Sequence, residues 1–287
     1  MNNKIIAVRR DDRYSPNSVE KDRSILLNAV EKLRKRFPQA SLKIIDERDL
    51  PEFTSEIKYE ENIAYVVLSM ARSEDALQAL NLMEQNGALV VNSAKAVSRC
   101  QRSVLDRIMR NNNVAMPPLE GTDGYWLKRG DAAAQERGDV VFCSDTKALE
   151  AAKENFRRRG ITNWVTSAHV VGDVVKFYGV GNRFFRYFYP TDDHITKFGD
   201  EIKNGEAHHY FFSEQHLSDE ARRLASIVGL NVFGGDAVVR ADGTIAIIDF
   251  NDWPSFSRCC EDAAEAIAAE IMEKWETFSE GDTFPNA

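Results

Sequence analysis

One turn constrains this chain more than any other feature. Asp242-Gly243 stands between the apolar runs GDAVVRA and TIAIIDFN, and an Asp-Gly pair flanked in this way predicts a two-residue hairpin turn. Pairing counted outward sets Ala241 against Thr244, Val238 against Ile247 and Asp236 against Asp249. Two carboxylates directly opposite, with Cβ atoms about 4.5–5.5 Å apart, destabilise a sheet. Asn251 is two residues further on and projects from the same face. Ile245-Ala246-Ile247-Ile248 reads as a buried strand, and an unpaired carboxylate carried into the interior at its end costs several kcal/mol. A divalent cation relieves that repulsion. Two carboxylates and an amide suit Mg²⁺ sharing its shell with water and phosphate oxygens better than an all-protein calcium cage. Solvated, frayed strand ends are the competing reading of the same aspartates.

The 287-residue chain is long enough for one large or two ordinary domains. Its net charge of -8 argues against nucleic acid or an anionic membrane as a general partner. VRRDDR and EKLRKRF near the N-terminus are nevertheless locally basic, which leaves room for an anion site there. Cys100, Cys143, Cys259 and Cys260 lack CxxC spacing, so reduced thiols in a cytoplasm are the simpler expectation. No signal peptide and no run of about 18 apolar residues is found.

The N-terminal third alternates strand and helix patterns: KIIAVRR, a helix with Ile25, Leu26, Val30 and Leu33 on one face, SLKIIDERDL, then IAYVVLSM, SEDALQALNLMEQNG and ALVVN. Such alternation predicts a parallel sheet with covering helices. Ligands approach sheets of that kind at the strands' carboxyl ends, which carry Arg9, Arg10, Asp11 and Asp12, then Ser69 with Arg72, then Asn92 with Ser93. A single helix capped by Ser93 is expected over SAKAVSRCQRSVLDRIMRNNN, followed by an extended Met116-Pro117-Pro118. Beyond it the pattern becomes antiparallel α+β: strands in GYWLKRG and GDVVFCS, a helix in TKALEAAKENFRRRG, then strands in NWVTSAHVV, DVVKFYGVG and RFFRYFY. PTDDHITKFGDEIKNGEAHH reads as a long loop. A helix (DEARRLASIVG), the hairpin, and an amphipathic helix presenting Ala264, Ala268, Ile271, Met272 and Trp275 complete the chain.

FGGDAVVRADGTIAIIDFNDWPSF resembles the C-terminal metal-binding hairpin of the ATP-grasp superfamily. EARRLASIVGLNVFGGD is similar to the helix that leads into it, and VVNSAKAVSRCQRSVLDRIMRNNNVAMPP to the start of the nucleotide-binding part. GYWLKRG and HVVGDVVKFYGVGNRFFRYF are similar to the strands around the hinge. The resemblance covers residues 90 to 275. It implies an α/β ATP-grasp fold, α+β in its C-terminal part. The implied division is an N-terminal parallel α/β pre-ATP-grasp domain (1–92) and an ATP-grasp domain (93–287), the latter split into a nucleotide-covering subdomain (93–168) and a metal-binding subdomain (169–287).

By the same resemblance Asp236, Asp249 and Asn251 hold the metal, Mg²⁺ or Mn²⁺. Lys128 and Arg102 contact the ATP phosphates, Asp173 the ribose, and Ser167 and His169 the hinge. Lys176 and Arg186 face the γ-phosphate and the reacting oxygen. Three departures qualify it. The hinge reads Ser167-Ala168 where many members have Gln-Glu, which leaves the adenine amino group to backbone carbonyls. The phosphate-covering loop RGDAAAQERGD holds only Gly130 and Gly138. Asp249 stands where peptide-type ligases more often have glutamate, as in inositol trisphosphate kinases.

The resemblance therefore implies a Mg-ATP-dependent, ADP-forming ligase that activates a carboxylate as an acyl phosphate for attack by an amine. A kinase of the inositol phosphate type and a non-catalytic nucleotide-binding regulator are the alternatives. The implied partner is a small molecule or peptide, anionic in the kinase case, with the protein itself a monomer or homodimer. No HExxH, Walker loop or serine-histidine-acid order is present.

Overall fold

The periodicities of the sequence resolve into three separate sheets. The computed structural model describes residues 2–15, 18–60, 63–131, 137–192 and 203–281. β1 (Asn2–Arg9), β2 (Ser41–Asp46), β3 (Ile63–Ser69) and β4 (Leu89–Val91) form a parallel sheet in the order β2-β1-β3-β4. One face packs on α1 (Val19–Arg36) and, from the far end of the chain, α8 (Cys260–Gly281). The other packs on α2 (Leu50–Glu56) and α3 (Glu74–Gln85). The apolar stripe of α1 is buried as its period requires: Ile25, Leu26 and Leu33 are fully enclosed and Val30 nearly so.

α2 replaces part of an expected strand. SLKIIDERDL stops being extended at Asp46, and Pro51 enters the first turn of a helix, where its fixed φ and missing N–H cost nothing. The helix expected after Ser93 is two helices, α4 (Ala94–Arg99) and α5 (Arg102–Asn111). The Ser93 hydroxyl caps α4 by accepting from Ala96 N, as read from the sequence. Gln101 then turns extended (φ -56°, ψ 127°) and starts the second helix with Arg102 at its head.

β5 (Tyr125–Arg129), β6 (Val140–Cys143) and β7 (Trp164–Ala168) make a three-stranded antiparallel sheet, β6-β5-β7, backed by α6 (Thr146–Arg158). β8 (Asp173–Val180), β9 (Phe184–Phe188), β10 (Val232–Val239) and β11 (Ile245–Asp252) make a four-stranded antiparallel sheet, β11-β10-β8-β9. Val175, Phe177, Phe233, Ala237 and Phe250 on one of its faces bury against α7 (Glu214–Val228). No described helix is long and apolar enough to cross a membrane.

The hairpin forms, but its loop differs from the two-residue turn. Arg240 N donates to Thr244 O, and Gly243 N to Arg240 O, enclosing Ala241, Asp242 and Gly243 with Gly243 at φ +81°. A type I turn followed by a left-handed glycine is the three-residue solution, and it shifts the neighbouring register by one. Val238 therefore faces Ala246 rather than Ile247. An irregularity between Asp236 and Ala237 leaves Ile248 as an extra residue on β11, and Asp236 faces Asp249 after all. β10 and β11 approach so closely here that a Cβ on Gly235 would collide with the Asp249 carbonyl oxygen.

Candidate active site

The face of the four-stranded sheet turned away from α7 is divided in three. At one end Tyr178, Val180, Phe184 and Val232 pack with α8, Trp253 and Phe256. At the other, Val174, Val238, Ala246 and Ile248 form a small apolar floor with Val170. Between the two patches runs a row of charge. Lys176 on β8 faces Asp236 on β10, which faces Asp249 on β11. Lys176 Nζ donates to Asp236 Oδ1 at 2.7 Å, and Asn251 Nδ2 donates to Asp249 Oδ2 at 3.0 Å.

The three-stranded sheet supplies the opposite wall. Leu127 points to α6 and is fully buried, so the alternation of β5 turns Trp126 and Lys128 the other way. Their cross-strand partners Val140, Phe142, Val165 and Ser167 share that side. The two sheets meet directly where Lys128 Nζ donates to the carbonyl of Ile248, the bulged residue, at 2.9 Å. Arg102, at the head of α5, donates to Arg129 O at 2.6 Å and lies close enough to act on Asp249. Burial pushes the Asp249 carboxyl up, but Lys128, Arg102, the Asn251 amide and Lys176 together hold it below the usual carboxylate value. For Lys176, burial opposes the charge, and Asp236 more than restores it, keeping the ammonium above its ordinary pKa.

Of the residues named from the sequence, Lys128, Arg102, Lys176, Asp236, Asp249 and Asn251 thus converge. Arg186 faces Tyr178 across β8 and β9 on the same side as Lys176, and is exposed. Ser167 lies on the cleft side of β7. His169, two residues further on, accepts from Trp126 Nε1 at 3.1 Å through Nδ1. Asp173 does not join the row. It is three residues from Lys176, an odd offset that turns it to the other face. It is 1 % exposed, and its oxygens accept from the amides of His208 (2.8 Å) and Tyr210 (2.9 Å). It anchors that segment rather than presenting a free carboxylate to a ribose. Most of the phosphate-covering loop (132–136) and the centre of the long polar loop (193–202) lie outside the described residues.

Arg10, Arg72 and Asn92, expected at the ligand-facing strand ends, instead tie this cleft to the parallel sheet. Asn92, at the end of β4, donates to Val232 O (2.7 Å) and accepts from the amides of Asn231 and Val232. Asp252, at the end of β11, accepts from Arg72 Nη2 at 2.6 Å and Arg10 Nη2 at 3.4 Å. Arg10 also pairs with Asp22 at 3.1 Å and reaches the carbonyls of Met70 and Trp253. Arg10, Arg72 and Asn92 could be located as strand-end residues of a parallel sheet. Their partners around β10 and β11, 139 to 243 positions away, carry no local signal.

Two carboxylates (Asp236, Asp249) and three cations (Lys128, Lys176, Arg102) leave the cluster with one excess positive charge. A bare divalent cation would face that surplus, whereas a cation delivered with a polyphosphate would be matched by it. Among the described residues no group of three His, Cys, Asp or Glu converges to hold a metal. The donor set therefore fits Mg²⁺ that completes its shell with phosphate oxygens and water.

No protein-family model and no curated protein matches the sequence. Solved structures do match over nearly the whole chain. D-alanine–D-alanine ligase from Bacillus anthracis complexed with ATP superposes with a TM-score of 0.64 at 11 % identity, covering 97 % of this chain and 99 % of the other. A RimK domain ATP-grasp protein from Sphaerobacter thermophilus gives 0.60 at 17 % identity, covering 93 % and 99 %. The ATP-grasp ligase PsnB complexed with minimal precursor gives 0.57 at 16 % identity, covering 94 % and 100 %.

Proposed function

We propose, for a chain that has the ATP-grasp fold, that it is a Mg-ATP-dependent, ADP-forming ligase acting on a small-molecule or peptide carboxylate and an amine. The observation that carries this reading is the row Lys176–Asp236–Asp249, met from the opposite sheet by Lys128. Phosphoryl transfer asks a protein mainly for positioning and neutralisation of charge. Asp236, Asp249 and Asn251 would hold the metal, Lys128 and Arg102 the phosphates nearest them. Lys176 and Arg186, on the same face, would meet the γ-phosphate and the acceptor oxygen. Bound Mg-ATP supplies the phosphoryl group and the metal charge that offsets its transfer.

Neighbours of the same fold include a ligase complexed with ATP and one complexed with a precursor peptide, which supports a ligase ahead of a kinase. The buried or half-buried thiols of Cys100, Cys143, Cys259 and Cys260 are free, in keeping with a reducing compartment. The test is incubation with Mg-ATP and a panel of amino acids, short peptides and inositol phosphates. ADP with an amide product supports the ligase. A phosphorylated polyol would establish the kinase instead, and nucleotide binding without turnover of any substrate would leave a regulator.

A further inference from the structure

A second cleft opens at the end of the four-stranded sheet where β8 turns into β9, and none of its residues belongs to the candidate active site. The β8–β9 turn (181–183) and the start of β10 meet α7 and α8 there, with Leu89 at the head of β4. The cleft has a volume of about 570 Å³, inside the range of roughly 300–1,000 Å³ that holds a small organic molecule. Leu89, Ala225, Leu230 and Phe233 give it an apolar lining.

The charges around that lining do not cancel. Arg183, Arg222 and Lys274 stand against Glu270 and Glu273, and both carboxylates serve the same cation. Arg183 pairs with Glu273 through Nη2 and lies 3.6 Å from Glu270 through Nε. Glu270 is held further by Asn231 Nδ2 at 3.1 Å, and it packs so closely on Gly181 that a Cβ there would collide with it. Arg222 and Lys274 have no carboxylate partner among the described residues. The Arg222 guanidinium lies 6.0 Å from the ring centre of Phe185, and its buried Nε has no acceptor among the described residues. An aromatic face orients a guanidinium without neutralising it, and a buried donor without an acceptor is destabilising. An oxyanion gripped by the guanidinium fork supplies charge and acceptors together.

We propose that this cleft is a second ligand site, which takes a small amphipathic monocarboxylate. Arg222 and Lys274 hold the carboxylate, and the apolar body lies against Leu89, Leu230 and Phe233. An excess of one positive charge matches a carboxylate better than a phosphate monoester, which carries about -1.5 to -2. The site shares no residue with the row Lys176–Asp236–Asp249, so its ligand and a nucleotide bind side by side.

The test is calorimetry of the full chain with phenylbutyrate, a monocarboxylate with an aromatic body, and with phenylbutanol, the same body without the charge. The expected result is saturable binding of phenylbutyrate with a Kd below about 1 mM, and binding of phenylbutanol at least about tenfold weaker. Arg222→Gln should weaken phenylbutyrate by at least about fivefold and leave phenylbutanol unchanged. Glu273→Gln, which releases Arg183 from one carboxylate, should tighten phenylbutyrate by about twofold or more. Lys128→Met, in the other cleft, should change neither probe. A smaller difference between the two probes, phenylbutyrate binding indifferent to Arg222→Gln, its loss in a folded Lys128→Met variant, or no saturation up to about 10 mM would each overturn the second site. The two probes compared on the wild type decide even where a variant folds poorly, and no outcome bears on the ligase reading, since no nucleotide is used.

Discussion

Asn251 and Asp252 are neighbours on β11, yet they belong to charge clusters of opposite kinds. Asp252 is 1 % exposed and clamped between Arg72 and Arg10, the latter 6 % exposed and also held by Asp22 and two carbonyls. Asn251, one residue earlier and on the other face, belongs to a row in which Lys176 and Asp236 are 29 % and 22 % exposed. There the cations outnumber the carboxylates. A buried set in which each charge has its partner fixes one geometry and leaves nothing for a ligand to complete. A half-open set with a charge surplus gains from a polyanion and its metal. A single β-strand thus serves architecture on one face and chemistry on the other, simply because side chains alternate.

The sharpest way to break this comparison is to open the buried cluster. Asp252→Ala leaves Arg72 without its carboxylate and Arg10 with Asp22 alone, and removal of one partner from a buried pair costs about 3–5 kcal/mol. Denaturant unfolding should show a loss of that size. A change below about 1 kcal/mol would mean the two clusters are energetically alike. Asp249→Asn tests the other side. Mg-ATP-dependent turnover should fall by at least about 100-fold, as for removal of a group that stabilises transferring charge, while stability moves by less than about 1 kcal/mol. Turnover that survives would remove Asp249 from the metal site. Smaller again is Lys128→Met. Losing its charge beside Asp249 and its bond to Ile248 O should weaken Mg-nucleotide binding about tenfold, roughly 1.4 kcal/mol, in a titration. An unchanged Kd would place the phosphates away from β5.

The two clusters also differ in how far the sequence disclosed them. The row was legible because a hairpin is a local object: Asp242-Gly243 locates the turn, and counting back reaches Asp236. The count succeeded through two offsets that cancel, the three-residue loop and the extra residue Ile248, neither of which has a distinctive local pattern. Lys128 and Lys176 were named through the resemblance, and Lys176 also stands out between Val175 and Phe177 in an otherwise apolar strand. The parallel sheet followed from alternation, but the break at Cys100-Gln101 did not, because the apolar period runs through it. Asp173 illustrates the limit from the other side. Its position near the hinge pointed to a ribose, while its partners, the amides of His208 and Tyr210, lie beyond a long loop that no pattern folds back. Asp252 with Arg10 and Arg72, like Asn204 with the carbonyls of Val170 and Gly172, rests on contacts of long sequence separation between unremarkable polar residues.

The smallest expected effect separates the clusters by pH. Burial, reinforced by Lys203 and opposed by Asp123, lowers the His169 pKa from its ordinary 6.5. The neutral ring is also the form that accepts from Trp126. Below 6.5 the unfolded chain binds this proton more readily than the folded one, so stability rises with pH across that window. The contribution of His169 is complete above the unfolded value and declines as pH falls through the folded one. The stability advantage of wild type over His169→Gln, measured by denaturant unfolding, should therefore be larger at about pH 8 than at about pH 5. Asp249 is also depressed, but from 3.8, so the stability its ionised form contributes is still present across that whole range. A pH-dependent difference for His169→Gln beside a flat one for Asp249→Asn would show the two ends of the cleft titrating separately. Equal His169 differences at both pH values would mean that its ring binds protons alike in both states, and that Trp126 does not hold the tautomer.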